Sequence, residues 1–377
     1  MPRATILLVL GLLLPAHAGA TAFSVDTVDA RDSDHRGEYL WLAVDAAGRM
    51  HFSFYNRTRT RLDYAVQDGT SWQVVPIDGT APGANVGRYS AFCLDDLGVP
   101  HFTYFDDVNF DLRYATKENG QWVSIAVAAA GNVGRYSTIR FQAPSTFHVV
   151  YYDEGDGDLE YAVRESGVWS HATIDSIGDV GIKARMVLDQ QGFPHAAYYD
   201  QTNGSLKQAT LTSGGWQIET VDGPGTGDVG TYASIAIDTQ NRPHIAYYDA
   251  SHAQPRYARW TGSAWMTEPI EETAADNGRF ISLQLDAQDR PRVAYLDFSN
   301  GDLKFAARVN QAWQVQIVDG DDGLDAGYHA ALVRAPDGTS RIGFFSESRR
   351  ALKYAVGDDT VPVETMSFGS FRRRYGP

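Results

Sequence analysis

A glycine recurs through this chain at Gly37, Gly87, Gly134, Gly181, Gly230, Gly278 and Gly327, at intervals of 47 to 50 residues. A period of that size commits a chain to a repeat architecture in which each unit buries its apolar faces against its neighbours. Other columns keep step with it. Tryptophan stands at Trp72, Trp122, Trp169, Trp216, Trp265 and Trp313, and a short apolar run begins at Leu62, Leu112, Leu159, Leu206, Pro255, Leu303 and Leu352. Each repeat therefore holds four short runs of β-branched and aromatic residues, bounded by Gly, Asn, Asp and Pro, with no helical periodicity. Runs such as Ala233 to Ile237 and Ile245 to Tyr248 are apolar on both faces, as strands packed between two other sheets must be.

Four strands per repeat and seven repeats predict an all-β fold: a seven-bladed β-propeller with four-stranded antiparallel blades. An open solenoid would need polar end caps, and none is found. The chain opens with Phe23 to Asp29, which matches the Trp-initiated strand but has no blade before it. It is expected to complete the last blade and close the ring. The rival for that role, Val361 to Met366, carries Pro362, an awkward residue in a paired strand.

In an up-and-down blade the start of the first strand, the end of the second and the start of the third lie at one end of the ring. The pair after each loop glycine falls there: Glu38–Tyr39, Arg88–Tyr89, Arg135–Tyr136, Ile182–Lys183, Thr231–Tyr232, Arg279–Phe280 and Tyr328–His329. The aspartates that end the second strand, Asp106, Asp153, Asp200, Asp249 and Asp297, fall there too. Repeated tyrosines also suit inter-blade packing, and repeated aspartates suit turn capping. A purely structural role, however, should be filled in every blade, whereas arginine appears in three and Lys183, Phe280 and His329 replace the tyrosine. Arg88, Tyr89, Arg135, Tyr136, Lys183, Tyr232, Arg279, Phe280 and His329 are therefore the candidate ligand-binding residues.

Asp153, Asp156 and Asp158 surround a glycine at a spacing that suits calcium, but no bidentate glutamate follows; the segment reads first as a turn, with calcium as the alternative. No other cofactor is expected. His51, His101, His148, His195 and His244 start the second strand of separate blades at the opposite end, with Arg292 and Arg341 in the remaining two, and read as turn anchors. Cys93 lies in an apolar run and reads as a small core residue. Nucleophile elbows, zinc-binding helices, phosphate loops and aspartate boxes are all missing, so catalysis stays open.

The chain has 47 acidic against 32 basic side chains, a formal charge of -15, which opposes affinity for nucleic acid or anionic membrane. Arg3, the apolar stretch Ile6 to Leu14 and the small residues Ala16 to Ala20 read as a secretory signal peptide, too short to span a bilayer. The expected organisation is a signal peptide at 1–20, the propeller at 21–356 and a tail at 357–377. The product is expected to be a secreted monomer, extracellular or periplasmic.

The runs Arg242 to Asp249, Asn300 to Ala306 and Gly227 to Gly230 resemble the repeats of exported bacterial propeller proteins, over about residues 23 to 356. The chain is also similar, more faintly, to the neuraminidase-like repeat propellers that include ulvan and related polysaccharide lyases. That resemblance implies action on acidic sugars, with the Tyr and Arg residues of the ligand face and His329 as the site. The tail Met366 to Tyr375 resembles those of some exported Gram-negative proteins. Two functions are carried forward: a secreted binding module for carbohydrate or a cell-envelope partner, and a lyase or glycoside hydrolase acting on an acidic polysaccharide.

Overall fold

The computed structural model describes residues 23–28, 34–223, 225, 227–320 and 325–358. It is a ring of seven four-stranded antiparallel sheets. Blade one runs from Arg36 to Asp78, blade two from Val86 to Ala128, blade three from Val133 to Asp175 and blade four from Val180 to Asp222. Blade five runs from Val229 to Pro269 and blade six from Asn277 to Asp319, and blade seven begins at Tyr328. Among the described residues no helix is long and apolar enough to cross a membrane. Residues 1–22 and 359–377, which hold the expected leader, the rival closing strand and the tail, lie outside the described residues.

The N-terminal strand closes the ring. Phe23–Thr27 pairs antiparallel with Ala351–Gly357, in the register Phe23 to Gly357 and Thr27 to Lys353. Phe23 is buried and meets Phe305 of blade six edge-on at 5.0 Å.

Burial follows strand position. The second strand of most blades, such as Pro243–Asp249, is buried at every residue because it is covered on both faces by neighbouring blades. The fourth strand, such as Gln121–Ala128, alternates between half-buried and exposed because it forms the outer wall.

The sequence columns are the contacts between blades. At Gly134 a Cβ would come within 2.6 Å of the Leu112 backbone in the preceding blade, and Gly87 meets Leu62 in the same way. Both glycines also hold positive φ, so a side chain there would be strained as well as crowded. The tryptophans pack edge-on against the third-strand tyrosine of the preceding blade: Trp169 on Tyr114 at 5.4 Å, Trp216 on Tyr161 at 5.3 Å and, across the closure, Trp72 on Tyr354 at 5.4 Å. Blade four carries Gln208 in place of that tyrosine. Trp265 stacks instead with Trp260 and donates to Glu219.

The histidine column anchors turns. His51, His101 and His244 each set Nε2 against a carboxylate, Asp45, Asp95 and Asp238, and Nδ1 against the hydroxyl of Tyr64, Tyr114 and Tyr257. His195 pairs with Asp189, and His148 uses Gln142 and Tyr161. In the other two blades Arg292 meets Asp286 at 2.8 Å and Arg341 meets Asp337 at 2.7 Å.

Candidate functional site

Each innermost strand starts with an irregularity. In blade two the pairing jumps between Val86 and Arg88 and again before Ala91, and the other six blades also break register there. Within that bulge the second residue after the loop glycine adopts a left-handed backbone in all seven blades: Tyr39, Tyr89, Tyr136, Lys183, Tyr232, Phe280 and His329, with φ between 50° and 56°. Bulky residues avoid that conformation, at a cost of about 1–3 kcal/mol each, and a bulge that recurs re-aims a side chain.

Here it aims all seven into the axial channel. They form a collar around a cavity of about 320 Å³, with Leu40, Ser90, Arg185, Ala233, Ile281 and Ala330 completing the wall. Neighbouring rings touch in series. Tyr136 and Tyr89 have centroids 4.5 Å apart, Tyr89 and Tyr39 4.6 Å, Tyr39 and His329 4.9 Å, His329 and Phe280 4.7 Å, and Phe280 and Tyr232 4.8 Å. Lys183 interrupts the aromatic series and lays Nζ 3.6 Å over the Tyr232 ring.

Arg88, Arg135 and Arg279 belong elsewhere. They precede the bulge residue, so they leave the strand on its other side and do not line the cavity. Arg88 reaches Asp107 at 3.3 Å and lies over Tyr55, Arg135 reaches Glu154 at 2.8 Å and lies over Phe105, and Arg279 reaches Asp276 at 2.5 Å and lies 3.9 Å over Phe298. The candidate residues thus divide into a collar inside the channel and an arginine rim whose members each have a carboxylate. Tyr39 belongs to the collar.

Three further channel residues escaped the sequence reading. At the fourth residue after the glycine most blades have Ala, Ser or Thr, but blade one has Trp41 and blade four Arg185; at the sixth, blade three has Arg140 among mostly small or apolar residues. Those exceptions were the available signal. Trp41 reaches across the axis, with the Arg185 guanidinium 4.8 Å and the Arg140 guanidinium 5.1 Å from its ring centroid. It lines a second cavity of about 390 Å³ at the histidine end, whose wall shares Arg185, Ile281 and Ala330 with the collar cavity. Cys93 is half-buried, packs against the core between blades two and three as expected, and also lines that second cavity; burial pushes its thiol up to about 12.

The channel's cations carry the marks of confinement. Burial, helped by the charge of Arg279, pushes Lys183 down to about 8. Burial also lowers Arg185 to about 10, helped by Arg140, and lowers Arg140 itself to about 10. His329, enclosed by the collar and repelled by Arg185, falls to about 3 and is neutral at physiological pH. Among the described residues no carboxylate lines either cavity.

The aspartates that end the second strands cap turns. Asp106 accepts from the backbone of Val108 and Asn109, and Asp200 from that of Asn203. Asp153 does the same with Gly155 and Asp156, at 2.8 and 3.2 Å, while burial and the charges of Asp156 and Asp153 raise Asp158. Among the described residues three metal-ligating atoms come within reach of one another at His35, Glu38 and Glu347, not at Asp153, Asp156 and Asp158.

No protein-family model matches the chain, and no curated protein matches it. Solved structures do. The polysaccharide lyase Uly1 superposes with a TM-score of 0.58 at 9% identity, over 84% of this chain and 89% of its own. A PL25 ulvan lyase bound to a GlcA(1-4)Rha3S saccharide gives 0.57 at 13% identity, over 84% and 91%. An arginine-to-alanine triple mutant of AofleA from Arthrobotrys oligospora gives 0.53 at 16% identity, over 81% and 93%. At such identities the likeness is one of fold: this chain is a β-propeller, as those proteins are.

Proposed function

We propose that this protein binds an acidic saccharide at the tyrosine end of its channel. The observation that carries the reading is the collar itself: aromatic faces interrupted by Lys183, with Arg185 behind them and no carboxylate in the wall, in a chain of net charge -15. A buried cation without a counter-ion is costly, and a ligand that brings a carboxylate or sulfate removes that cost. Ring faces suit the apolar C–H faces of a sugar, while the tyrosine hydroxyls suit its hydroxyl groups. The saccharide named in the matching ulvan lyase structure is of this acidic class. Residues 1–20 support export, where such polymers are met.

Titration calorimetry with uronate-containing, sulfated and neutral oligosaccharides tests the reading. Acidic ligands should bind, and Lys183→Gln should weaken them roughly ten- to a hundredfold while leaving neutral ligands unchanged. Equal affinity for neutral and acidic ligands, or an unaffected Lys183→Gln variant, overturns it.

A second reading, elimination by a lyase, is favoured by one observation: His329, Lys183 and Arg185 line the same cavity. A neutral His329 can accept the C5 proton beside a uronate carboxylate while Arg185 stabilises the negative charge that develops on that carboxylate; the electron pair then forms the C4–C5 double bond and the 4-linked oxygen leaves, taking a proton from a collar tyrosine hydroxyl or water. Ultraviolet detection of an unsaturated uronate product separates the readings. Product formation that disappears in His329→Gln makes the protein a lyase; binding without product leaves it a binding module.

A further inference from the structure

The cavity at the histidine end has a composition that no structural role requires. Its wall contains Arg140, Arg185, Arg334, Ser234, Ser282 and Gln284 among apolar residues, and no aspartate or glutamate. Arg140 donates Nη1 to the carbonyl of its neighbour Ile139 at 2.9 Å and Arg185 to that of Ala184 at 3.5 Å; neither makes an ion pair among the described residues. Their charges repel one another, and both guanidiniums lie against the Trp41 ring.

The serines add donors of a particular kind. Ser234 Oγ accepts the backbone N–H of Leu283 at 3.0 Å, and Ser282 Oγ accepts that of Leu332 at 2.9 Å. An oxygen that already accepts from the backbone presents its own O–H for donation. Two guanidinium forks and two hydroxyls therefore offer donors to one enclosed space that contains no charged acceptor.

We propose that this cavity is a binding site for a small oxoanion of the sulfate, phosphate or carboxylate class, entering from the histidine end and held between Arg140 and Arg185. It is distinct from the saccharide collar: Arg140 and Trp41 line only this cavity, and Arg185 belongs to the wall of both. An anion here relieves the repulsion between the two arginines and locks Trp41, so its occupancy is coupled through Arg185 to the floor of the collar.

The test uses the full chain with inorganic sulfate, inorganic phosphate and acetate in turn, at constant ionic strength, reading thermal midpoint and the change in tryptophan fluorescence. At least one oxoanion should raise the midpoint in a saturable way, by linkage of binding to folding, with a fluorescence change that disappears in Trp41→Phe. Arg140→Gln should melt no lower than wild type without anion, because it removes a buried unpaired charge, and should lose the anion-dependent rise. Arg290→Gln, which removes an exposed arginine at the same end of the ring, should keep it. If Arg140→Gln fails to fold, Arg140→Lys replaces it: the charge remains but the fork is lost, and binding should weaken about tenfold. No saturable shift with any of the three anions, or a shift that survives in Arg140→Gln, overturns the proposal.

Discussion

The turns at the histidine end and the wall of the channel both bury charge, and they do so in opposite ways. In the turns the carboxylates are satisfied by hydrogen bonds, Asp95 and Asp189 by backbone N–H groups and a histidine. Asp238, for example, accepts from the backbone of Gln240 and Arg242 and faces both Arg242 Nε and His244. In the channel Lys183, Arg185 and Arg140 make no ion pair among the described residues. The turns repeat in every blade, whereas the cations occur in two. Where repetition and satisfied partners coincide, the charge builds the fold. Where a residue breaks the repeat and stands without a counter-ion, the fold does not account for it, and that is the ground on which the two ligand sites are proposed.

The sharpest way to break this contrast is to delete one partner on each side. Asp238→Ala leaves Arg242, His244 and two backbone donors uncompensated and should cost about 3–5 kcal/mol, the range for opening a buried pair; Lys183→Gln should cost under about 0.5 kcal/mol or stabilise. Denaturant melts of both variants check this. Comparable losses at the two sites would mean that the channel cations are structural after all.

A second, intermediate effect sharpens the comparison through pH. Burial lowers His51, His101, His195 and His244, and lowers His148 to about 4. The native state thus refuses protons that an unfolded histidine accepts near its ordinary 6.5. Between those values the unfolded chain binds more protons, so stability is full above about pH 6.5 and declines as pH falls. Thermal midpoints from pH 7.5 to 4 should drop progressively, and His148→Gln, which keeps a polar group without the titration, should flatten the profile. A midpoint independent of pH in that window contradicts the buried, neutral histidines.

The smallest effect concerns the Asp153 turn. Because Asp153 is already satisfied by backbone donors, EDTA is expected to leave the thermal midpoint unchanged. A fall restored by Ca²⁺ in wild type but not in Asp156→Asn would make the turn a cation site.

Much of the fold was legible because single residue types carried single contacts. Gly134 is glycine because Leu112 of the preceding blade occupies the space of its Cβ, and Trp169 is aromatic because Tyr114 awaits it. A period written in such residues specifies blade count, strand count and the closing role of Phe23 to Thr27. The collar was half legible. Tyr89, Tyr136, Lys183, Tyr232, Phe280 and His329 were found because they stand in one column and vary within it. The separation of Arg88 from Tyr89 was not, because a bulge sends adjacent residues to directions that strand alternation does not give.

By itself, then, the sequence determined the ring: seven repeats, their strands and the residues that hold neighbour to neighbour, all of which follow from contacts at a constant offset along the chain. Tertiary structure alone decided what meets across the axis. Trp41, Arg140 and Arg185 come from blades one, three and four, and no local spacing relates them. They share a cavity only because closing the ring turns seven innermost strands toward one line, where side chains far apart in sequence must occupy the same few ångströms.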